Sequence, residues 1–399
     1  MKGLFGERIK KSSGQAFAII GSVIGAGFIT GREILTFFYG QSPLFVFAGM
    51  FALFFALIYA VLAVKNAMSA YAVAQGDKAV YVLNVLSVAS MLGATESLAR
   101  DMNFGCDFPI WSIVMLILSV MVCKKGMRGL GIFNAVLVPI MIGAVLIIFL
   151  AHSPEISVSG MRGGSFNLFS VMKYVGMNIL LTQPLLGDIR RESVLPRSDL
   201  PDRRIFVLTA FIASLSLSVT AAVLLAVLPK ESLFCEIPIL YVTGRGRAFY
   251  YLVSVIVLFG IITTLVGSLY PLTSLADVLN ESVKLSRGKG NISSKQNPTK
   301  GDFLSKSRGE AKSSRRGGVL FTIAVCVVSL AVSRLGFYVI VEKIYPISGV
   351  LAIVYYAFTF AVLPLFQTIE RRRTLRRQGC TKARYRHGVR FRLQILCGG

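Results

Sequence analysis

The stretch GQAFAIIGSVIGAGFITGREILTFF, residues 14–38, decides the fold of this chain. It has the length and the apolar character of a membrane span, yet it contains four glycines: Gly21, Gly25, Gly27 and Gly31. Glycine weakens a helix by about 1 kcal/mol relative to alanine, and the Arg32-Glu33 pair that follows is costly at membrane depth. The pattern predicts a broken helix whose freed backbone groups line a binding site. Close packing of a neighbouring helix against small residues is the alternative.

The composition is that of a polytopic membrane protein. The chain has 399 residues, of which 54% are hydrophobic and 16% are charged, whereas a soluble domain carries about 25% charged residues. Many apolar runs approach the roughly 20 residues that cross a bilayer. About ten spans are predicted, at residues 14–38, 43–64, 79–99, 108–123, 129–151, 166–188, 205–228, 248–279, 318–334 and 346–366.

The positive charge is distributed in a way that predicts orientation. Lys and Arg number 43 against 19 Asp and Glu, and most of them fall in segments that are cytoplasmic when residues 1–13 are inside. Residues 282–317 are polar and predict a disordered cytoplasmic loop, and residues 370–399 form a basic cytoplasmic tail. We expect this loop and tail to contact anionic lipids. Nucleic acid is not an expected partner, because no stacking platform accompanies the charge.

The spans divide into two halves, residues 14–151 and 166–366. Each half contains an odd number of helices, so two related halves would insert with opposite orientation, as in many transporters. The first span of the second half should then also be broken. It contains Pro184, which cannot donate a backbone hydrogen bond, just after three polar residues, Asn178, Thr182 and Gln183.

The two predicted breaks supply the candidate substrate-binding residues. These are Gly25, Ala26, Gly27, Asn178, Thr182 and Gln183. Interhelical hydrogen bonding is the alternative role for the polar three.

Glu33 and Glu96 are the carboxylates nearest the membrane interior. Each is a candidate to form an external gate, bind a cationic substrate group or carry a proton. An ion pair at the membrane interface, with Arg32 or Lys173, is the alternative. The sequence has no metal-ligand cluster, nucleophile elbow or histidine inside a span, so it predicts no enzyme and no organic cofactor.

Three segments resemble a known family. GSVIGAGFITGREILTFF (residues 21–38), GIFNAVLVPI (131–140) and NILLTQPLLGDI (178–189) are similar to the YkvI-like family of bacterial membrane proteins. That family in turn resembles the amino acid–polyamine–organocation superfamily. The resemblance implies an all-α LeuT-like fold of about ten transmembrane helices in a 5+5 inverted repeat, with helices 1 and 6 broken.

The resemblance also implies a sodium site. Residues 259–264, FGIITT, are similar in spacing to the eighth helix of sodium symporters, where a carbonyl and two hydroxyls bind Na⁺ with the broken first helix. The implied ligands are the carbonyls of Gly21, Ile24 and Gly260 and the hydroxyls of Thr263 and Thr264. Hydroxyls that bond back to their own helix are the alternative. Phe28 stands where such symporters often carry an Asn for a second sodium ion.

The sequence therefore predicts a secondary transporter of the bacterial cytoplasmic membrane with both termini cytoplasmic. Its solute would be an amino acid or a related amine, moved by alternating access with Na⁺ as the coupling ion. Two alternatives stay open. One is a proton-coupled transporter of the same fold, and the other is a non-transporting ligand receptor or sensor of the germination-receptor type.

Overall fold

In the residues that this computed structural model describes, the regular structure is helical apart from an isolated bridge between Gln41 and Ser165. The structure describes residues 2–63, 67–105, 108–152, 164–192, 203–243, 248–289 and 320–362. All helices named below lie within these residues. The chain forms one compact unit over residues 1–350 and a second over 351–399.

The helices before the middle of the chain begin with a span in three pieces. These are α1 (Lys2–Val23), α2 (Ala26–Ile29) and α3 (Arg32–Phe38), followed by α4 (Pro43–Ala63), α5 (Ala67–Asp101), α6 (Ile110–Cys123) and α7 (Gly126–His152).

The later part of the chain contains six helices and a short 3₁₀ turn in the described residues. The elements are α8 (Leu168–Glu192), α9 (Arg203–Val227), the 3₁₀ turn (Lys230–Phe234), α10 (Pro238–Thr243), α11 (Ala248–Lys289), α12 (Leu320–Ser333) and α13. Helix α13 begins at Phe337, passes through a π-helical turn (Ile340–Ile344) and continues as Tyr345–Ala357.

Six of these helices are long and apolar enough to cross a membrane. They are Pro43–Ala63, Val80–Asp101, Gly129–Ala151, Arg203–Val227, Phe249–Thr273 and Phe337–Phe360. The first five coincide with spans predicted from the sequence, and Phe337–Phe360 overlaps the predicted span 346–366 but begins nine residues before it. Two shorter apolar helices, α6 and α12, fall on two further predicted spans. The protein is therefore an all-α membrane protein, as predicted.

The first span is broken, as its glycines predict. The helix stops at Val23, and the Gly25 amide donates to Val23 O at 2.8 Å. In a continued α-helix the same amide would donate to Gly21 O. A second interruption lies at Gly31, whose φ of 80° is left-handed and favours glycine.

The prediction of a broken helix at the start of the second half is wrong, because this helix is continuous. One helix, α8, runs from Leu168 to Glu192 with Pro184 inside it. Proline removes a single helical donor, whereas opening the helix would expose several backbone groups, and each unsatisfied group costs several kcal/mol in hydrocarbon. Proline alone therefore does not break a membrane helix, and the glycine cluster has no counterpart here.

Three other expectations need correction. Pro271 was expected to kink or break the eighth predicted span, because proline cannot donate a backbone hydrogen bond, but it lies inside the continuous helix α11. The same helix extends to Lys289, so residues 282–289 are helical where a disordered loop was expected. The apolar piece 337–345, which was expected at the surface or re-entering, is the first part of α13. Residues 290–317 and the basic tail, 370–399, lie outside the described residues.

The broken span lies among the other helices of the first unit. Helix α1 packs against α7, α8, α9 and α11, α2 packs against α5 and α11, and α3 packs against α8 and α9. This arrangement places the break at residues 24–25 against α11. In the second unit, α13 ends at Ala357 and a π-helical turn, Phe358–Val362, follows. The Tyr356 ring lies 5.2 Å from Tyr355 and 5.9 Å from Phe360, measured between ring centroids.

We expect Gly31→Ala to lower the melting temperature more than Gly40→Ala. Both glycines have positive φ, so both substitutions add backbone strain of about 1–2 kcal/mol. An added Cβ at Gly31 would also lie 2.2 Å from Leu228 Cδ1, whereas Gly40 has no neighbour within 4 Å. The measurement is thermal unfolding of both variants in detergent. Equal losses would contradict this expectation and show that the end of the Leu228 side chain moves aside at little cost.

Candidate functional site

The break in the first span packs against polar groups of α11. The Thr263 hydroxyl lies 3.3 Å from Ile24 O and 3.0 Å from Gly260 O, within reach of donating to either. The Thr264 hydroxyl is buried and has no hydrogen-bond partner among the described residues. An added Cβ at Gly25 would lie only 2.2 Å from Thr264 Oγ1. Carbonyl and hydroxyl oxygens of both helices therefore converge at residues 24–25.

Four of the five residues implied as sodium ligands lie together here: Ile24, Gly260, Thr263 and Thr264. The described contact of the fifth, Gly21, is with α7. Its Cα packs against α7, where an added Cβ would lie 2.4 Å from Asn134 Cγ. Asn134 Nδ2 donates to Ala18 O at 3.4 Å, and Asn134 Oδ1 is buried without a partner. Gly260 contacts the break directly, since its added Cβ would lie 3.4 Å from Gly25 O.

The cluster suits a hard cation such as Na⁺ in its donor chemistry. Its carbonyl and hydroxyl groups present oxygen atoms without a carboxylate, and the buried Thr264 hydroxyl lacks a partner of its own. The alternative role for Thr263 is also realised, because its hydroxyl reaches Gly260 O one turn earlier in its own helix. The same backbone conformation therefore allows the Thr263 hydroxyl either to bind a cation or to donate to Gly260 O.

Glu33 lies on the other side of the break, over Gly27. An added Cβ at Gly27 would lie 2.0 Å from Glu33 Oε1. The Tyr174 hydroxyl donates to Glu33 Oε2 at 3.3 Å. Glu33 is 4% exposed, and among the described residues no Lys or Arg forms an ion pair with it.

Aromatic rings enclose the Tyr174 side of this carboxylate. The Tyr174 ring lies 5.2 Å from Phe37 and Phe38 and 6.4 Å from Phe28, measured between ring centroids. Tyr174 and Phe28 are completely buried. These rings exclude water from one side of Glu33, so its electrostatic interactions are strong.

Hydroxyl groups continue from Glu33 back to α11. The buried Tyr345 of α13 is near enough to interact with Glu33 and with Ser87 of α5. The Ser87 and Ser268 hydroxyls share a hydrogen bond of 2.9 Å, and Ser268 follows Thr264 by one helical turn. These polar groups thus form a connected series from Glu33, beside Gly27, to α11. We refer to Glu33, Tyr174, Tyr345, Ser87 and Ser268 as the polar ring.

Arg32 points away from Glu33 although the two residues are adjacent. Its guanidinium donates to Leu233 O and forms an ion pair with Glu342 at 3.2 Å. It also lies 4.0 Å from the centroid of the Tyr338 ring, a cation–π geometry. Among the described residues, the ion pair considered between Arg32 and Glu33 or Glu96 is therefore not formed, and Arg32 pairs with Glu342 instead.

Glu96 is engaged with a helix terminus. Its Oε1 accepts hydrogen bonds from the Ser112 amide at 2.9 Å and the Ser112 hydroxyl at 2.7 Å. Ser112 is in the first turn of α6, where a carboxylate is favoured by unpaired amides and the helix dipole. This contact fixes α5 to α6, and no described contact joins Glu96 to the polar ring.

The polar residues before Pro184 are buried in α8. Asn178 Nδ2 donates to Tyr174 O at 3.0 Å, and the Thr182 hydroxyl donates to Asn178 O at 2.9 Å. Gln183 is also buried. Asn178 and Thr182 bond within their own helix, so in this conformation their polar atoms stabilise the backbone around Pro184.

The comparisons with known proteins agree with this architecture. No family model matches the chain. A Bacillus subtilis protein, described as the uncharacterized membrane protein YkvI, is 26% identical over 291 residues, which cover 67% of this chain and 81% of that protein. The resemblance to YkvI-like membrane proteins is confirmed.

Two solved transporters have similar structures. A substrate-bound, outward-open Na⁺-coupled sialic acid symporter has a TM-score of 0.53 at 11% identity, covering 88% of this chain and 79% of its own. The nucleobase-cation-symport-1 family transporter Mhp1 has a TM-score of 0.45 at 12% identity, covering 88% and 72%. The symporter shows that this chain has a LeuT-like transporter fold.

Most of the polar ring had no signal in the sequence. Tyr174, Tyr345, Ser87 and Ser268 are single polar residues in apolar helices, and neither their spacing nor their neighbours indicate which side faces the break. Only Ser268 could have been found from its position, because it follows Thr264 by four residues and therefore lies on the same face of the helix.

A double-mutant cycle tests the contact between the break and α11. We expect Gly25→Ala to lower the melting temperature, because its Cβ would clash with Thr264 Oγ1 at 2.2 Å and Cγ2 at 2.9 Å. Thr264→Ala removes both atoms, so the double variant should recover part of the loss, with a coupling of about 1–2 kcal/mol. Unfolding of all four proteins in detergent gives the coupling, and additive losses would contradict the contact.

Proposed function

We propose that this protein is a secondary transporter of a small organic solute, an amino acid or a related amine, and that Na⁺ is its coupling ion. The observation that carries the proposal is the broken first span packed against Gly260, Thr263 and Thr264. A broken helix leaves backbone carbonyls available at mid-membrane, which is where secondary transporters bind ions and substrate. We place the protein in the bacterial cytoplasmic membrane, with both termini cytoplasmic.

The proposed Na⁺ ligands are the carbonyls of Gly21, Ile24 and Gly260 and the hydroxyls of Thr263 and Thr264. Burial of the Thr264 hydroxyl without a partner supports this assignment, because a buried unpaired polar group costs free energy that a bound ion would offset. Bound Na⁺ would join α1 to α11 across the break. Its release would weaken that contact and favour movement of the two helices relative to each other.

The solute is proposed to bind at the other side of the break. Gly25, Ala26 and Gly27 would supply backbone groups, and the polar ring would supply hydroxyls and the Glu33 carboxylate. Asn178, Thr182 and Gln183 are retained as candidates on α8. Their hydrogen bonds within α8 predict a smaller role for Asn178 and Thr182 than for Glu33.

Proton coupling is the second candidate, and Glu33 supports it. Its carboxylate is buried beside the break without a cation among the described residues. Ionisable groups inside membrane spans are commonly proton carriers. In this mechanism Glu33 would take up and release the proton, and Na⁺ would not be required.

Uptake into proteoliposomes decides between these mechanisms. We expect an inward Na⁺ gradient to drive uptake of amines or amino acids. We expect the double variant Thr263→Ala, Thr264→Ala to raise the half-saturating Na⁺ concentration at least tenfold, because two oxygen ligands are lost. Ser218→Ala removes a buried, unpartnered hydroxyl from α9 and serves as the control, with unchanged Na⁺ dependence.

Three results would contradict the proposal in different ways. An unchanged Na⁺ requirement in the double variant would remove the assigned ion site. Uptake that follows a pH gradient and ignores Na⁺ would favour the proton mechanism, which Glu33→Gln should then abolish. Binding of solute without any flux under either gradient would favour a receptor or sensor.

A further inference from the structure

We infer that Glu33 is the ammonium-recognition group of the solute site, and that the solute is a cationic amine without a free carboxylate. This inference rests on the proposed solute site at the helix break and specifies its substrate class. It follows from the position of one buried carboxylate, from the groups around it and from the absence of a neighbouring cation in the described chain.

The first step concerns charge. Glu33 is 4% exposed and lies beside Gly27 at the break. Its one hydrogen bond among the described contacts comes from the Tyr174 hydroxyl, which is neutral. Arg32, the nearest basic residue in sequence, is held by Leu233 O and Glu342. A bound cation would compensate a carboxylate that the described residues leave uncompensated.

The second step concerns the shape of the donor set. An ammonium group has three donors and no acceptor. Several oxygen acceptors are connected to this carboxylate: Glu33 Oε1 lies beside Gly27, the Tyr345 hydroxyl interacts with Glu33 and Ser87, and Ser87 bonds to Ser268. The rings of Tyr174 and Phe28 lie beside them, and aromatic faces attract cations. This combination suits an alkylammonium group with an apolar substituent.

The third step excludes a carboxylate on the same solute. In an amino-acid transporter of this fold, the solute carboxylate would sit at the backbone amides of the break. Here Glu33 Oε1 occupies the space above Gly27, since an added Cβ there would lie 2.0 Å away. A second carboxylate at Ala26 and Gly27 would repel Glu33 at short range, in surroundings where charge interactions are strong. The amine alone satisfies the site.

Binding to the full-length protein in detergent tests this inference. Each set of probes shares one side chain: phenethylamine, phenylalanine and 3-phenylpropionate form the aromatic set, and isobutylamine, valine and 3-methylbutanoate form the aliphatic set. We expect the amines to raise the melting temperature and to bind at least tenfold more tightly than the matched amino acids. The carboxylic acids should not bind. Loss of a charge-assisted hydrogen bond predicts that Glu33→Gln weakens amine binding about tenfold or more.

Two further variants separate recognition from folding. Glu96→Gln changes the other carboxylate singled out in the spans, which contacts α6, and should leave amine affinity unchanged. Tyr174→Phe keeps the ring but removes the donor to Glu33 Oε2, and we expect it to change amine affinity less than Glu33→Gln. Melting of each variant without ligand reports folding, and removal of the buried charge should not lower the melting temperature of Glu33→Gln.

The outcomes distinguish this inference from the transport proposal. Amine binding that needs Glu33, without flux, would support the inference and overturn the transport function. Na⁺-driven uptake of amino acids or carboxylates with no preference for amines would support transport and overturn the inference. Equal amine affinity in the wild type and Glu33→Gln would also overturn the inference. If Glu33→Gln kept its amine affinity and lost only the pH dependence of uptake, Glu33 would be assigned to proton transport instead. Failure of both amines to bind would also count against it.

Discussion

The hydrogen-bonding requirement of a backbone in hydrocarbon governs this structure. A membrane helix can open only where other groups satisfy or use the freed carbonyls and amides. Here the opening lies at Ile24 and Gly25, and Thr263 of α11 reaches the Ile24 carbonyl. Glycine at positions 25 and 260 lets the two helices approach closely, because an added Cβ at either would clash with the partner helix. The break and the packing of α1 on α11 therefore depend on each other.

The same requirement explains which predictions succeeded. The glycine cluster of the first span lowers the cost of irregular backbone, and α11 supplies polar partners, so the break is readable from sequence. Pro184 raises the cost of a regular helix at only one position. The sequence around it includes Thr182 and Asn178, whose side chains bond to carbonyls of the same helix. The two halves consequently differ at the point where symmetry predicted that they would agree.

The environment of Glu33 was less accessible to sequence reasoning. Adjacent residues on a helix point about 100° apart, so the Arg32-Glu33 pair sends its charges to different neighbours. Arg32 meets Glu342, which is distant in sequence, and Glu33 meets Tyr174. The sequence indicated that both charges are functional or paired, but the partners depend on how α3, α8 and α13 assemble. Glu96 illustrates the reverse case, since its partner Ser112 lies in the helix that follows directly.

The contacts of Thr30 and Arg32 have a mechanical consequence. The Ile239 amide at the start of α10 donates to Thr30 O at 2.9 Å, and Arg32 donates to Leu233 O. These bonds attach the segment between α9 and α11 to the outer pieces of the first span, while the break at residues 24–25 separates those pieces from α1. The first span is therefore interrupted on one side of α2 and attached by hydrogen bonds on the other. Any displacement of α2 and α3 relative to α1 would have to carry residues 233–239 along or break these two bonds.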